Sequence, residues 1–162
     1  MIVYHGSTEK VEKPDVMHTL RNLDFGKGFY VTTSQLQAES LARRKIEIQG
    51  RNKGVVCVYQ YKEDDSLRIL DFDGKIDEWL DFVCDCRSGG QKYKEYDVIK
   101  GKVADDRVYR VVNFYMTGVW DKDRTLREMR VYEMYDQIAF ITQKAIDSML
   151  SYELSYEVTA NE

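Results

Sequence analysis

The sequence is poor in proline and in long apolar stretches. Among its 162 residues there is one proline, Pro14, and the ten glycines are scattered, so no stretch looks like a flexible interdomain linker. The longest apolar runs are four or five residues, far short of the ~20 that a membrane-spanning helix needs. We therefore predict a single domain over residues 1–155, outside any membrane, followed by an acidic, frayed tail over 156–162.

Cysteine is also scarce, and odd in number. Cys57, Cys84 and Cys86 do not suggest a disulfide framework, and the N-terminal residues lack the basic region and cleavage site of a secretory signal. We expect reduced thiols and a cytoplasmic location. A closed zinc site usually has four ligands, and both histidines lie far in sequence from Cys84 and Cys86, so we predict no metal site.

No charge sign is in large excess. The chain has 24 basic and 28 acidic residues and a net charge of −4, so no overall basic field attracts nucleic acid. The local cluster Arg43-Arg44-Lys45 lies on a predicted helix, where it is either a solvated face or a contact for a phosphate-bearing ligand. Of the two, we favour the solvated face.

Apolar patterning predicts an α+β domain, with strands dispersed among helices instead of regular βαβ units. Aromatic and β-branched residues indicate strands, and apolar residues three and four apart indicate helices. Thr33 or Ser34 is the expected N-cap of the first helix, and Gly50 marks its end. Strands are predicted at 1–5, 28–33, 55–61, 67–72, 96–100 and 137–142, helices at 35–49, 75–86, 105–117 and 143–150, and a short helical or extended piece at 126–129.

The first strand ends in Tyr4-His5-Gly6-Ser7. A glycine after a strand lets backbone groups approach a flat ligand, because no Cβ holds the ligand away. An exposed imidazole beside it could bond hydroxyl groups. The alternative is a half-buried, satisfied histidine next to a turn-forming glycine, and these four residues do not decide between the two.

A second motif, Phe25-Gly26-Lys27-Gly28-Phe29-Tyr30-Val31-Thr32-Thr33, joins a glycine loop to a strand. No strand precedes this loop, so the Rossmann fingerprint does not apply. Phe29 and Tyr30 point to opposite faces of their strand, so one ring lines the core and the other can face a cleft. The motif is therefore expected to place the loop that carries Lys27, and the ring of Phe29 or Tyr30, near Gly6.

Together the two motifs resemble those of the poly(ADP-ribose) polymerase-like ADP-ribosyltransferases, in which a His-Gly-Ser strand end precedes a Phe-Gly-Lys-Gly-aromatic-Tyr strand. Their compact spacing, about twenty residues, resembles that of an uncharacterised bacterial family, a domain of unknown function in the same superfamily. The resemblance implies an ADP-ribosyltransferase-like fold with a split mixed or antiparallel sheet and flanking helices. It extends to the segments at 78–83 with Arg87, 96–106 and 136–140.

The resemblance also implies that NAD⁺ is bound as a substrate. His5 and Tyr30 would belong to the catalytic set, with His5 on the adenosine ribose hydroxyls and Tyr30 against the nicotinamide ring. The backbone of Gly6 and the hydroxyl of Ser7 would bond the nicotinamide carboxamide, and Gly28 would line the same cleft. A second stacking tyrosine of the eukaryotic enzymes falls here at Leu41.

Charged candidates come from the same comparison. Arg21 and Lys27 are candidates for the pyrophosphate of NAD⁺, and Asp105 or Asp106 for loop or acceptor contacts. For each of them a solvated surface charge is the more common explanation.

The family's third catalytic residue is a glutamate at the start of a late strand. Asp136 takes that place if the alternation of Ile138 and Phe140 is aligned with the family strand, and Gln137 takes it if the strand is offset by one residue. A carboxylate can stabilise the cationic sugar that forms as nicotinamide leaves, whereas a glutamine can only position groups. Both residues stay candidates.

The activity implied is mono-ADP-ribosyl transfer from NAD⁺ to an unknown protein or nucleic-acid acceptor, or to water alone as a glycohydrolase. A toxin role with an antitoxin-like partner is a setting suggested by the resemblance alone. The alternative function is a catalytically weak module that binds NAD⁺ or ADP-ribose to regulate a partner. An RNA 2′-phosphotransferase ranks low, because the motifs lack surrounding basic residues.

Overall fold

A computed structural model describes residues 1–160 of the chain. These residues form an α+β fold, the class predicted from the sequence. The strands are β1 (Ile2–Ser7), β2 (Phe29–Thr32), β3 (Lys53–Tyr61), β4 (Ile69–Asp71), β5 (Val98–Lys102), β6 (Asp136–Phe140) and β7 (Leu150–Thr159). The helices are α1 (Gln35–Gln49), α2 (Ile76–Arg87), α3 (Asp106–Met116), α4 (Lys122–Met129) and α5 (Gln143–Met149), with a 3₁₀ turn at Lys92–Glu95.

All seven strands join one mixed sheet in the order β4-β5-β6-β2-β1-β3-β7. β4 and β5 run parallel, and the other neighbouring pairs are antiparallel. β1 pairs with β3 along its whole length, but its register with β2 consists of one pair, Tyr4 opposite Thr32. We call this junction between β1 and β2 the seam. It divides the sheet into two halves that are joined by a single register pair.

Helix α1 packs on one face of the sheet, over β1 and β3. Ala38, Ala42 and Ile46 form its apolar stripe and lie against Val56. The small alanines let the helix come so close that a Cβ on Gly6 would lie 2.0 Å from the carbonyl oxygen of Ala38. Close packing alone therefore requires glycine at position 6.

The same face, on the other side of the seam, carries α2, α3 and α4. Trp79 and Leu80 of α2 and Val108 of α3 are fully or almost fully buried against Ile99 and Ala139 of the sheet. The apolar stripe of α2 is thus part of the core.

The opposite face is covered by α5 and by the long connection between β1 and β2. Ile146 and Met149 of α5 pack there, together with Val11 and Val16 of the connection. The hydroxyl of Tyr59 donates to the carbonyl of Val11 and anchors the connection to β3. The connection therefore lies over the part of β1 that carries the first motif.

The predicted bounds of α1 are confirmed. Ser34 is its N-cap and accepts from the backbone N–H of Gln37, and Gly50 ends it in the left-handed conformation. The uncertain piece at 126–129 is the last part of α4, which starts at Lys122 after its N-cap, Asp121.

Strand β7 was not predicted, and the expectation of a frayed tail from residue 156 is wrong as far as Thr159. β7 is an edge strand that pairs only with β3, and most of its side chains are exposed or half-buried, so its sequence lacks the apolar signal of an inner strand. Residues 161 and 162 of the predicted tail lie outside the described residues. Within residues 1–160 no helix is long and apolar enough to cross a membrane.

Candidate functional site

His5 lies on β1, and its side chain points to the face that the connection covers. The imidazole stacks on Phe29 at a centroid distance of 4.4 Å and meets His18 edge-on at 5.1 Å. His5 is only 6% exposed. The exposed imidazole considered from the sequence is thus a buried one, because the connection that carries His18 lies over it.

The two ring nitrogens of His5 differ in their surroundings. Nδ1 lies 2.7 Å from the carbonyl oxygen of Tyr30, whereas Nε2 is buried with no hydrogen-bond partner among residues 1–160. Burial, followed by the positive charge of Lys45, lowers the pKa of His5 to about 3, so the ring is neutral near pH 7. If Nδ1 donates to the carbonyl, Nε2 is an unused acceptor.

Side chains bridge the seam where the strand ladder stops. Continuing the register by two residues would place Gly6 opposite Tyr30. Instead, the carbonyl of Tyr30 is engaged by Nδ1 of His5, and the carbonyl of Gly6 accepts from Nζ of Lys45 at 2.9 Å. Bonds of this kind can be exchanged for those of a ligand without breaking a strand ladder.

Lys45 is a half-buried cation at the seam. Its ammonium group donates to a neutral carbonyl, and it takes part in none of the ion pairs within residues 1–160. Burial and the positive charge of Arg21 lower the pKa of Lys45. The solvated face predicted for Arg43-Arg44-Lys45 is therefore wrong for Lys45, whose position on α1 turns it towards β1; Arg44 is exposed and pairs with Asp106 at 2.7 Å.

Tyr30 lies on the other face of the sheet from His5. Its hydroxyl accepts from the backbone N–H of Phe25 at 3.0 Å and donates to the carbonyl of Gly26 at 2.6 Å. Burial and the negative charge of Asp24 raise the pKa of Tyr30 well above its usual value. The hydroxyl of Tyr30 thus holds the glycine loop in place. Because the hydroxyl already has two partners, a ligand could contact only the half-buried ring.

The other candidate residues differ in burial and position. Gly28 is buried, and a Cβ there would lie 2.6 Å from the carbonyl oxygen of Phe140, so β2 and β6 need glycine for their close approach. Ser7 is buried at the end of β1. Arg21 and Lys27 are exposed in the connection.

Asp136 and Gln137 begin β6, the strand on the far side of β2. Asp136 is exposed and forms an ion pair with Lys102 at 3.0 Å. Gln137 is buried opposite Thr32, and its Nε2 donates to Oδ2 of Asp24 at 2.9 Å and to the carbonyl of Lys102 at 3.1 Å. Both amide hydrogens are used in this arrangement, so Oε1 is the atom available to a ligand.

Asp24 is the centre of a buried polar network that no sequence pattern predicts. It is 3% exposed, and it accepts from Arg87 at 2.6 and 2.9 Å and from the backbone N–H of Ala104 at 2.8 Å. The guanidinium of Arg87 also lies over the ring of Tyr109 at 4.6 Å. This network fixes the orientation of the Gln137 amide.

A cavity of about 440 Å³ opens beside Asp136 and Gln137, at the end of the sheet where β2 finishes. Its lining includes both of these residues with Thr33, Lys102 and Trp79, but not His5 or Tyr30. The structure thus brings the two halves of the predicted catalytic set to neighbouring strands, with the first motif at the seam and the two candidates for the glutamate position, Asp136 and Gln137, at the cavity.

The three thiols are free. Burial is the main cause that raises the pKa of Cys84 to about 11 and of Cys86 to about 12, so neither is a reactive thiolate. Within residues 1–160 no three His, Cys, Asp or Glu side chains are grouped as metal ligands.

His18 and Asp24 are the site residues that sequence reasoning missed, whereas Lys45 was considered within the basic cluster and assigned to the solvated face. Lys45 had a visible signal, because it falls on the same helical stripe as Ala38 and Ala42. His18 and Asp24 lie in the aperiodic connection, which gives no pattern from which burial can be read.

The geometry defines an α+β protein with one seven-stranded mixed sheet and a polar, side-chain-bridged seam. The chain belongs to the family described as "Protein of unknown function (DUF3990)", which it matches over residues 1–152. No curated protein and no solved structure matches the chain.

Proposed function

We propose that this protein is a mono-ADP-ribosyltransferase with an ADP-ribosyltransferase-like fold, which binds NAD⁺ at the seam and releases nicotinamide. The observation that carries the proposal is the side-chain bridging of the seam, by His5 to Tyr30 and by Lys45 to Gly6. A carboxamide NH₂ is a donor that can replace the Lys45 ammonium at the Gly6 carbonyl. The two motifs that resemble the transferases supply both edges of this seam.

His5 suits a hydroxyl-bearing ligand. Its buried Nε2 lacks a partner and, with the ring neutral, can accept a hydrogen bond from a ribose hydroxyl. Satisfying a buried acceptor contributes to ligand affinity, because leaving it unpaired is costly. The connection that carries His18 has to move aside for a ribose to reach this nitrogen.

Asp136 and Gln137 take different parts in this proposal. Asp136 carries the only charge of the two and stabilises the cationic sugar as nicotinamide leaves. Gln137, held by Asp24, presents Oε1 and positions a sugar hydroxyl. Nicotinamide departs with the bonding electrons of the glycosidic bond, and the acceptor's nucleophile bonds to C1′ and loses its proton.

The test is nicotinamide release from NAD⁺ by the purified chain, with ligand binding followed by thermal shift. We expect release by the wild type, loss in His5→Ala, and normal release in Arg44→Ala, a variant of an exposed residue on the same helix as Lys45. Asp136→Asn compared with Gln137→Ala assigns the acidic role: the assignment above requires the larger loss of turnover in Asp136→Asn.

The second candidate is a module that binds NAD⁺ or ADP-ribose without turning it over. It is favoured by the burial of Gln137 in the Asp24 network, since an amide in the glutamate position cannot carry a charge. This candidate predicts a thermal shift with NAD⁺ and no nicotinamide release. Absence of both shift and release would contradict both candidates.

A further inference from the structure

We infer that the outer edge of β7 pairs with β7 of a second copy of this chain, which joins the two sheets into one. The surface is the regular part of β7, residues 154–159. It begins after a bulge, because the register with β3 passes from Tyr152 to Leu154 and skips Glu153. The inference uses a different part of the molecule from the seam and does not depend on the proposed function.

Within residues 1–160 the sheet has two edge strands, and β7 is the long one. β7 has ten residues and pairs with β3 alone, whereas β4 at the other edge has three residues. The outer side of an edge strand presents unpaired N–H and C=O groups, which proteins commonly protect with lysine, proline or a bulge. β7 contains no lysine or proline, and its bulge leaves the stretch after it regular. A second strand can therefore extend the sheet at residues 154–159.

Leu154 is an exposed apolar side chain at this edge. Val158 belongs to the same apolar cluster as Ile46, and the hydroxyl of Tyr156 donates to Glu39 of α1 at 2.7 Å, so both lie on the face that α1 covers. Side chains alternate along a strand, which places Leu154 on this face as well. Val158 is 4% exposed under α1, whereas Leu154 is 49% exposed. Leu154 therefore offers apolar surface to a partner strand.

Symmetry and charge select one register for this pairing. When two identical antiparallel strands are related by a two-fold axis perpendicular to the sheet, one residue faces its own copy. A centre at Tyr156 pairs residues 154–158, a centre at Glu157 pairs 155–159, and any other centre pairs a shorter part of the regular stretch. The centre at Glu157 places two like charges directly opposite each other, which is destabilising. The remaining register places Leu154 opposite Val158 of the second copy and Tyr156 opposite its own equivalent.

Opposite charges meet at both ends of this register. Glu153 of one copy comes beside Thr159 of the other, where Nε of Arg43 donates to the Thr159 carbonyl at 3.3 Å. Glu153 contacts the amide of Gln60 at 3.3 and 3.4 Å and takes part in none of the ion pairs within residues 1–160. Within the same residues Arg43 has one ion pair, a long one of 3.9 Å with Glu39. The two-fold axis therefore creates two ion pairs between Arg43 and Glu153, which fits a second copy better than an unrelated strand.

The experiment is sedimentation equilibrium of the full chain over a range of concentrations. We expect a monomer–dimer equilibrium in the wild type. Leu154→Lys should weaken the dimer about tenfold or more, since it replaces an apolar pair by an ammonium group that loses water. Val131→Lys introduces the same charge at an exposed residue after α4, on the far side of the seam, and should change the dissociation constant less than about twofold.

Charge reversal tests the register. Arg43→Glu and Glu153→Arg should each weaken the dimer about tenfold or more, because each places like charges at both ends of the strand pair. The double variant should restore the affinity of the wild type. Arg44→Glu is the matched control with little expected effect, because Arg44 pairs with Asp106 at the start of α3.

A protein that stays monomeric up to about 1 mM would overturn the inference and leave the edge of β7 to a different partner. A dimer that Leu154→Lys does not weaken would overturn it as well, since association would then use another surface. A double variant as weak as the single charge reversals would overturn the register centred on Tyr156. If Leu154→Lys does not fold, the charge reversals decide the same question, with circular dichroism to check the fold of each variant.

Discussion

His5 and Tyr30 have their side chains on opposite faces of the sheet, and yet Nδ1 of the imidazole lies 2.7 Å from the tyrosine's carbonyl oxygen. The contact crosses the seam and joins β1 to β2 where the backbone does not. A side chain that holds two strands together has a role in stability as well as any role in binding. The predictions below are designed to separate these roles.

Gly6→Ala should unfold the protein more easily even without any ligand. The new methyl group would lie 2.0 Å from the carbonyl oxygen of Ala38, so helix α1 would have to move away from β1. We expect a loss of at least about 2 kcal/mol in the free energy of unfolding, measured by urea denaturation. Ser7→Ala, on the same strand, is the control, and a Gly6→Ala variant as stable as that control would show that packing does not require this glycine.

Asp24→Asn should be far more destabilising than Asp136→Asn. Asp24 pairs with Arg87 inside the protein, and removing its charge leaves a buried guanidinium without a counter-ion, which costs about 3 kcal/mol or more. Asp136 pairs with Lys102 at the exposed surface, where the same change costs less than about 1 kcal/mol. Urea denaturation of both variants checks this, and similar losses would count against the buried network.

The stability of the protein should fall as the pH is lowered from about 6.5, because of His5. Burial lowers the pKa of this group from 6.5 to about 3 in the folded state, so over that window the unfolded chain takes up a proton that the folded chain does not. The slope approaches about 1.4 kcal/mol per pH unit. His5→Asn should flatten the profile between pH 7 and pH 5, above the range in which carboxylates titrate.

His18 needs a separate control in that measurement, since its pKa is also lowered, by burial and by Lys45. A His18→Gln variant should keep most of the slope. If His5→Asn had the same pH profile as the wild type, the imidazole of His5 would not be buried as described.

Tyr30→Phe should lower stability and leave nicotinamide release in place. The hydroxyl braces Phe25 and Gly26, and its loss costs about 1–3 kcal/mol, while the ring that would face nicotinamide remains. Tyr115→Phe, which loses a bond to Asp81 at the surface, is the matched control with a smaller expected loss. Tyr30→Ala should abolish release, and full turnover in that variant would remove the ring from the proposed site.

The sequence predicted those parts of the fold that have strong periodicity. The bounds of helix α1 could be predicted, with Thr33 and Ser34 both candidates for the N-cap, because its apolar stripe lies between capping residues at both ends. The edge strand β7 was missed, since pairing with β3 alone needs no apolar pattern.

For the candidate site, the sequence indicates which residues lie close together better than how their side chains are arranged. The two motifs do lie on the neighbouring strands β1 and β2, but the burial of His5 depends on the path of the connection, which no local pattern determines. Lys45 belongs to a cluster of three basic residues, and only its place on the helical stripe of Ala38 and Ala42 indicates that it turns inward. In the structure, Gly6 lies directly under the backbone of Ala38, so α1 is close to β1. This short distance explains why the ammonium group of Lys45 reaches the edge of β1.

The seam also has a consequence for motion within the molecule. Since one register pair, Tyr4 with Thr32, is the only rung between the two half-sheets in the described part of the chain, amide hydrogens near it should exchange with solvent sooner than those of the long β3–β7 ladder. A molecule lying across the gap would act as additional rungs. Binding of such a molecule should therefore slow amide hydrogen exchange on both half-sheets at once, because it would join them across the seam.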